Sequence, residues 1–200
     1  LILKYKEHPI DLIILLHATG LDFLIQECKG LFPGVPVIHV IATTRFTINS
    51  FRSEMERQIQ SLGQPFIVMP FEVDAKATVE TILRLQPNTL KLMVLSGGGP
   101  LEKRLEQTVR MQLEPWQGSF DIEYISNRPM DEVLMKVAKA PAKTAILFTT
   151  FYEDGTGRPY RPADAGRMIS KASKAPVFGL FETLLGDNGI VGGIMVNQGK

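Results

Sequence analysis

Leu90-Lys91-Leu92-Met93-Val94-Leu95-Ser96-Gly97-Gly98-Gly99-Pro100-Leu101-Glu102 reads as a strand, a tight polar loop and the first turn of a helix. The apolar run is short, and its aliphatic residues have little polar interruption, as in a strand covered on both faces. Three consecutive glycines then let the backbone turn sharply. Pro100 suits the first helical position, where an N–H is unpaired anyway, and Glu102 lies near the positive end of the helix. The pattern predicts a strand over Leu90–Leu95 and a helix over Pro100–Leu113.

The same unit recurs on either side. Strands are expected at Asp11–Leu16, Val37–Ala42, Phe66–Met69, Ile122–Ser126, Ala145–Thr149, Val177–Phe181 and Ile190–Val196. Helices are expected at Leu21–Leu31, Ile48–Leu62, Ala75–Leu85, Met130–Ala138 and Pro162–Ser173, with Asp74 as an N-cap. This alternation predicts an α/β fold built on mainly parallel sheets. The unbroken run Asp11–Leu16 predicts cover on both faces of its strand. One α/β set ends and another begins at Gln86-Pro87-Asn88-Thr89, the expected seam.

A chain of 200 residues can form one large domain or two small lobes. Apolar residues at 44% and charged residues at 22% are ordinary for a globular protein. A net charge of +1, with Lys and Arg scattered over helix faces, gives no case for a nucleic-acid or membrane-surface partner. Cys28 is the sole cysteine and sits in an apolar helical pattern, so it reads as a small buried hydrophobe. No apolar run has transmembrane length, and no leader pattern is present. The chain opens mid-pattern at Leu1-Ile2-Leu3 and stops just after an apolar run, so it is expected to be part of something longer.

Parallel α/β sheets gather ligands where their strands end, which directs attention to the strand-to-helix loops. Ser96–Gly99 is either a tight turn or a set of amides holding a ligand oxygen, and the two readings are evenly balanced. It has neither the Lys of a P-loop nor the spaced glycines of a dinucleotide fingerprint. Phe151 and Tyr152 are expected to form a flat wall with a hydroxyl to offer, and Asp154 before Gly155 to close a turn. Glu182 could accept bonds from a ligand amine or pair with a nearby Lys or Arg. Thr19, Gly20, Thr43 and Thr44 form a small polar rim or cap helices. His39 reads as interior, and His17 as a minor ligand candidate. No metal-ligand spacing, serine elbow or matched acid–base pair is present, so no metal, cofactor or catalytic residue is expected.

Several stretches resemble a known family. Asp11-Leu12-Ile13 before a small polar loop, then Leu31-Phe32-Pro33-Gly34-Val35-Pro36-Val37, resembles the first lobe of type 1 periplasmic binding proteins. Phe151-Tyr152-Glu153-Asp154-Gly155-Thr156-Gly157-Arg158 and Ala175-Pro176-Val177-Phe178-Gly179-Leu180-Phe181 fit the same pattern. So does Leu184-Leu185-Gly186-Asp187-Asn188-Gly189-Ile190-Val191-Gly192-Gly193. The likeness is nearest to the ABC-transporter substrate-binding-like group, which also supplies extracytoplasmic sensor regions of bacterial histidine kinases. It departs from a complete family member in lacking the opening strand and helix and the closing part of the first lobe.

The resemblance implies two Rossmann-like lobes with an interlobe cleft, the first over residues 1–88, the second over 89–188, and a return crossing beginning at 189–200. It places ligand contacts at Thr19, Thr43, Ser96, Gly97, Phe151, Tyr152 and Glu182. It implies a non-catalytic domain that closes around a small polar solute, such as an amino acid, in a periplasmic or extracytoplasmic setting. Any membrane contact would come through other segments of an anchored parent, and a homodimer is left open. The closeness of Tyr152–Arg158 and Ile190–Gly193 to kinase-linked domains favours a sensor over a transporter component. Two other classes stay in play. One is a two-lobed sugar or nucleotide transferase using Ser96–Gly99 for phosphate, and the other is an interaction domain with a vestigial cleft.

Overall fold

A computed structural model describes residues 9–43, 57 and 63–195, without the side chains of residues 17–19, 42, 43 and 70. The chain is α/β, and every strand pairing within its two sheets is parallel. It divides into two compact units, Leu1–Glu72 and Val73–Lys200.

In the first unit, β1 (Ile13–Leu16), β2 (Val37–Thr43) and β3 (Phe66–Glu72) form a sheet in the order β1-β2-β3. Helix α1 (His17–Glu27) starts directly at the end of β1. The expected loop His17-Ala18-Thr19-Gly20 is therefore helical, a correction with a packing reason. A Cβ on Gly20 would meet the Leu15 Cβ at 3.3 Å, so this glycine serves close approach of helix and strand rather than a turn. Leu15, Leu21, Leu24, Cys28, Val37 and Ile41 form the core of this unit. The other face is not covered as the run Asp11–Leu16 predicts, for Ile14 is 58% and Leu16 62% exposed. Pro70 lies in β3, an edge strand of the sheet, where a missing N–H is tolerated. The helix expected over Ile48–Leu62, apart from Arg57, and the rim residue Thr44 lie outside the described residues.

The second unit begins with α2 (Ala75–Leu85) and continues β4 (Lys91–Ser96), α3 (Pro100–Leu113), β5 (Asp121–Ser126), α4 (Met130–Ala138), β6 (Thr144–Phe148), α5 (Pro162–Ala172) and β7 (Val177–Gly179). Its sheet runs β5-β4-β6-β7. Alternation along the central strands sorts the core into two layers. Met93, Leu95, Ile146 and Phe148 pack with Met130, Val133 and Val137 of α4 and with Ala165 and Ile169 of α5. Leu92, Val94, Ala145 and Leu147 point the other way and are equally buried, as are Val79 and Ile82 of α2 and Leu105, Val109 and Leu113 of α3.

Helix α2 is tied to this unit by α3. The Gln112 side-chain oxygen accepts from the N–H groups of Ala75 at 2.7 Å and Lys76 at 3.3 Å, and its Nε2 donates to the Val73 carbonyl at 2.7 Å. Asp74 adds its own cap, accepting from Ala77 N–H at 2.8 Å. The turn Gln86–Thr89, expected as the seam, therefore lies inside the second unit, and the division falls between Glu72 and Val73. The strand expected over Ile190–Val196 reduces to a single bridge between Ile190 and Val177. Beyond it, the Ile194 N–H donates to Thr78 Oγ1 of α2 at 3.0 Å instead of to a neighbouring strand. Val196 lies outside the described residues.

This order sets where a site can form. From β4 the chain moves to β5 on one side, then crosses to β6 on the other. The loops that leave β4 and β6 thus diverge to opposite faces, which makes their carboxyl ends a topological switch point.

Candidate functional site

Three loops meet at that switch point, and they are sewn to one another. Gly97 N–H donates to the Thr150 carbonyl at 3.0 Å, Gly98 N–H to the Glu153 carbonyl at 2.7 Å, and Asn127 N–H to the Gly97 carbonyl at 3.3 Å. Gly155 N–H donates to the Arg128 carbonyl at 3.0 Å. Asn127 holds a left-handed backbone, φ 53°, which a short amide side chain tolerates better than most.

Glu102, in the first turn of α3, fills the space between these loops. It is only 2% exposed. Its Oε1 accepts from the Tyr152 N–H at 2.6 Å and the Glu153 N–H at 3.1 Å. A Cβ on Gly97 would stand 2.7 Å from Glu102 Oε1, and one on Gly99 would stand 2.7 Å from Oε2. The glycines are needed for the carboxylate to fit. Burial of a charge at this depth is tolerable because amide donors and the helix start both compensate it.

Asp154 knots the loop after β6. Its carboxylate accepts from the Thr156 N–H (2.8 Å) and hydroxyl (2.6 Å), the Arg158 N–H (3.1 Å), the Met130 N–H (3.2 Å) and the Tyr160 hydroxyl (3.3 Å). Burial pushes its pKa up, but the hydrogen bonds, from Thr156 first, outweigh that and bring it down to about 2. The expected turn-closing role is what these bonds provide.

The residues singled out from sequence fall into different places. Ser96 is 1% exposed, and its hydroxyl donates to the Glu102 carbonyl at 3.3 Å. With the Gly97 and Gly98 amides also spent, the reading in which Ser96–Gly99 hold a ligand oxygen is corrected for Ser96, Gly97 and Gly98, whose groups bond the chain itself. Phe151 is corrected too. It is fully buried and packs edge-on against Tyr160, ring centroids 5.6 Å apart, so it belongs to the core and not to a wall. Tyr152 turns the opposite way and is 46% exposed. Its backbone is held on both sides, by Glu102 at its N–H and by Tyr160 N–H at its carbonyl, 2.7 Å. Glu182 opens the 3₁₀ turn Glu182–Leu184 after β7 and is partly buried. Thr19 lies in α1 and Thr43 ends β2, with side chains outside those described. The structure thus gathers Ser96, Gly97, Phe151 and Tyr152 at one edge and leaves Tyr152 as the exposed member.

Sequence reasoning assigned Glu102 only to the helix dipole. A signal existed in Gly97 and Gly99, whose missing side chains make room for the carboxylate five and three residues on. A depression of about 600 Å³ opens at the opposite, amino edge of the second sheet, lined in part by Pro87, Lys143, Thr144, Lys174 and Pro176. It lies away from the switch point, and none of the converging loops reaches it. Among the described residues, no group of three His, Cys, Asp or Glu side chains is placed to hold a metal, and no helix is long and apolar enough to cross a membrane.

No family model matches the chain, and no curated protein matches it. Among solved structures it is similar to full-length LpoA from Haemophilus influenzae in a monoclinic crystal form, at 13% identity and a TM-score of 0.36. A second structure of full-length LpoA from the same organism gives 11% identity and a TM-score of 0.37. In both cases the match covers 85% of this chain and 38% of LpoA, so the chain spans well under half the length of that protein.

Proposed function

We propose that this chain is a small-molecule-binding domain without catalysis, of the kind that forms the extracytoplasmic sensor region of a bacterial histidine kinase. One observation carries the binding role: Tyr152 presents a half-exposed ring at the switch point on a backbone fixed at both its N–H and its carbonyl. A rigid aromatic with a hydroxyl offers contact area and one directional bond at little ordering cost. Glu182, after the neighbouring strand β7, is the second proposed contact, with affinity for a ligand amine or hydroxyl. The sensor assignment rests on the resemblance of Tyr152–Arg158 and Ile190–Gly193 to kinase-linked domains. In that role the ligand must be held more tightly in one signalling state than in the other, since equal affinity shifts no equilibrium.

The transferase reading is weakened, because the Gly97 and Gly98 amides, two of those that could have held a phosphate, are bonded within the chain. The test is a thermal-shift screen of the chain against amino acids, sugars and purines. A true ligand raises the midpoint in proportion to the logarithm of its concentration above Kd. Tyr152→Ala and Glu182→Ala are expected to abolish that rise while leaving the unliganded midpoint nearly unchanged. Turnover of an activated sugar or nucleotide, or loss of fold in both variants, would contradict the proposal.

A further inference from the structure

We infer that Glu102 is a built-in occupant of an anion seat at the switch point, and that it keeps a ligand's phosphate or carboxylate group out of that seat. The seat has the parts an external anion would use. A glycine turn leads into the start of α3, and two amides, of Tyr152 and Glu153, converge on one oxygen at 2.6 and 3.1 Å. The chain supplies the anion itself, from a side chain 2% exposed, and the absence of a Cβ at Gly97 and Gly99 gives that carboxylate its space. Two further amides of the turn, of Gly97 and Gly98, are bonded to the Thr150 and Glu153 carbonyls. An incoming anion would find the Tyr152 and Glu153 amides already taken and a like charge at close range. The same carboxylate bridges α3 to the loop after β6, so it is also the positioning residue for Tyr152.

This rests on and deepens the binding role proposed for Tyr152, since a ligand would turn an amine, hydroxyl or ring toward this edge and not its carboxylate; the following test uses only formate and acetate, so either idea can fail without the other. Glu102→Ala should empty the seat. Its melting midpoint is expected to fall, and formate or acetate should raise it by several degrees above chloride at equal ionic strength, while the wild-type chain shows no such preference. A Glu102→Ala protein indifferent to carboxylates, or a wild-type chain that responds equally, overturns the inference. If Glu102→Ala does not fold, Glu102→Asp decides, since it keeps the charge but withdraws it by one methylene. Amide hydrogen exchange at Tyr152 and Glu153 should then quicken tenfold or more, with the Leu95 and Phe148 amides unchanged. Wild-type exchange rates at Tyr152 and Glu153 overturn it.

Discussion

Gly97 has no room for a side chain. A Cβ there would come within 2.6 Å of the Glu153 carbonyl oxygen and 2.7 Å of Glu102 Oε1, and the first of these is backbone that cannot swing aside. Gly97→Ala is therefore expected to cost about 1–3 kcal/mol in urea unfolding, the usual range for overpacking. Asp154 gives a pH signature. Its folded pKa of about 2 lies below its ordinary 3.8, so the carboxylate stabilises the fold above about pH 4. That contribution is lost as pH falls through the folded value near 2. Asp154→Asn should lower the neutral-pH midpoint and flatten the pH dependence between 4 and 2, measured by thermal melts across that range. At this scale the sequence was half informative. Phe151 and Tyr152 are adjacent aromatics in a loop, where no strand alternation says which one turns inward. Asp154 before Gly155 was legible because an Asx turn needs only local geometry.

Helices were the most legible elements, and their ends explain why. Ala75–Leu85, Pro100–Leu113 and Met130–Ala138 have the expected limits, marked by Asp74, by Pro100 and by Pro129 respectively. What sequence could not show was the second cap on α2, because Gln112 comes from another helix. Gln112→Ala removes acceptors from Ala75 and Lys76 N–H and a donor from the Val73 carbonyl. Losing a partly buried cap of this kind is expected to cost about 1–2 kcal/mol, read as a lower denaturation midpoint with an unchanged m-value. The region after β7 was misread for a related reason. Its apolar residues look strand-like, but the Ile194 backbone finds its partner in Thr78, remote in sequence.

At the scale of the molecule, the alternation of strands and helices was enough to give an α/β fold with parallel sheets. Strand order was not readable, because right-handed crossovers permit several orders for one pattern. That order matters for function, since it alone sets the switch point between β4 and β6 and so the edge on which Tyr152 stands. The compact units, divided at Glu72 and Val73, also depend on the remote bonds of Gln112. The second sheet offers two edges, the carboxyl edge with Tyr152 and the amino edge with its depression near Pro87, Lys143 and Pro176. Amide chemical-shift mapping of the isotopically labelled chain, titrated with the best ligand from the thermal-shift screen, separates them. Saturable shifts centred on Tyr152, Glu153 and Glu182 are expected. Shifts centred instead on Asn88, Thr89, Lys143 and Lys174, with the carboxyl edge unmoved, would contradict the account.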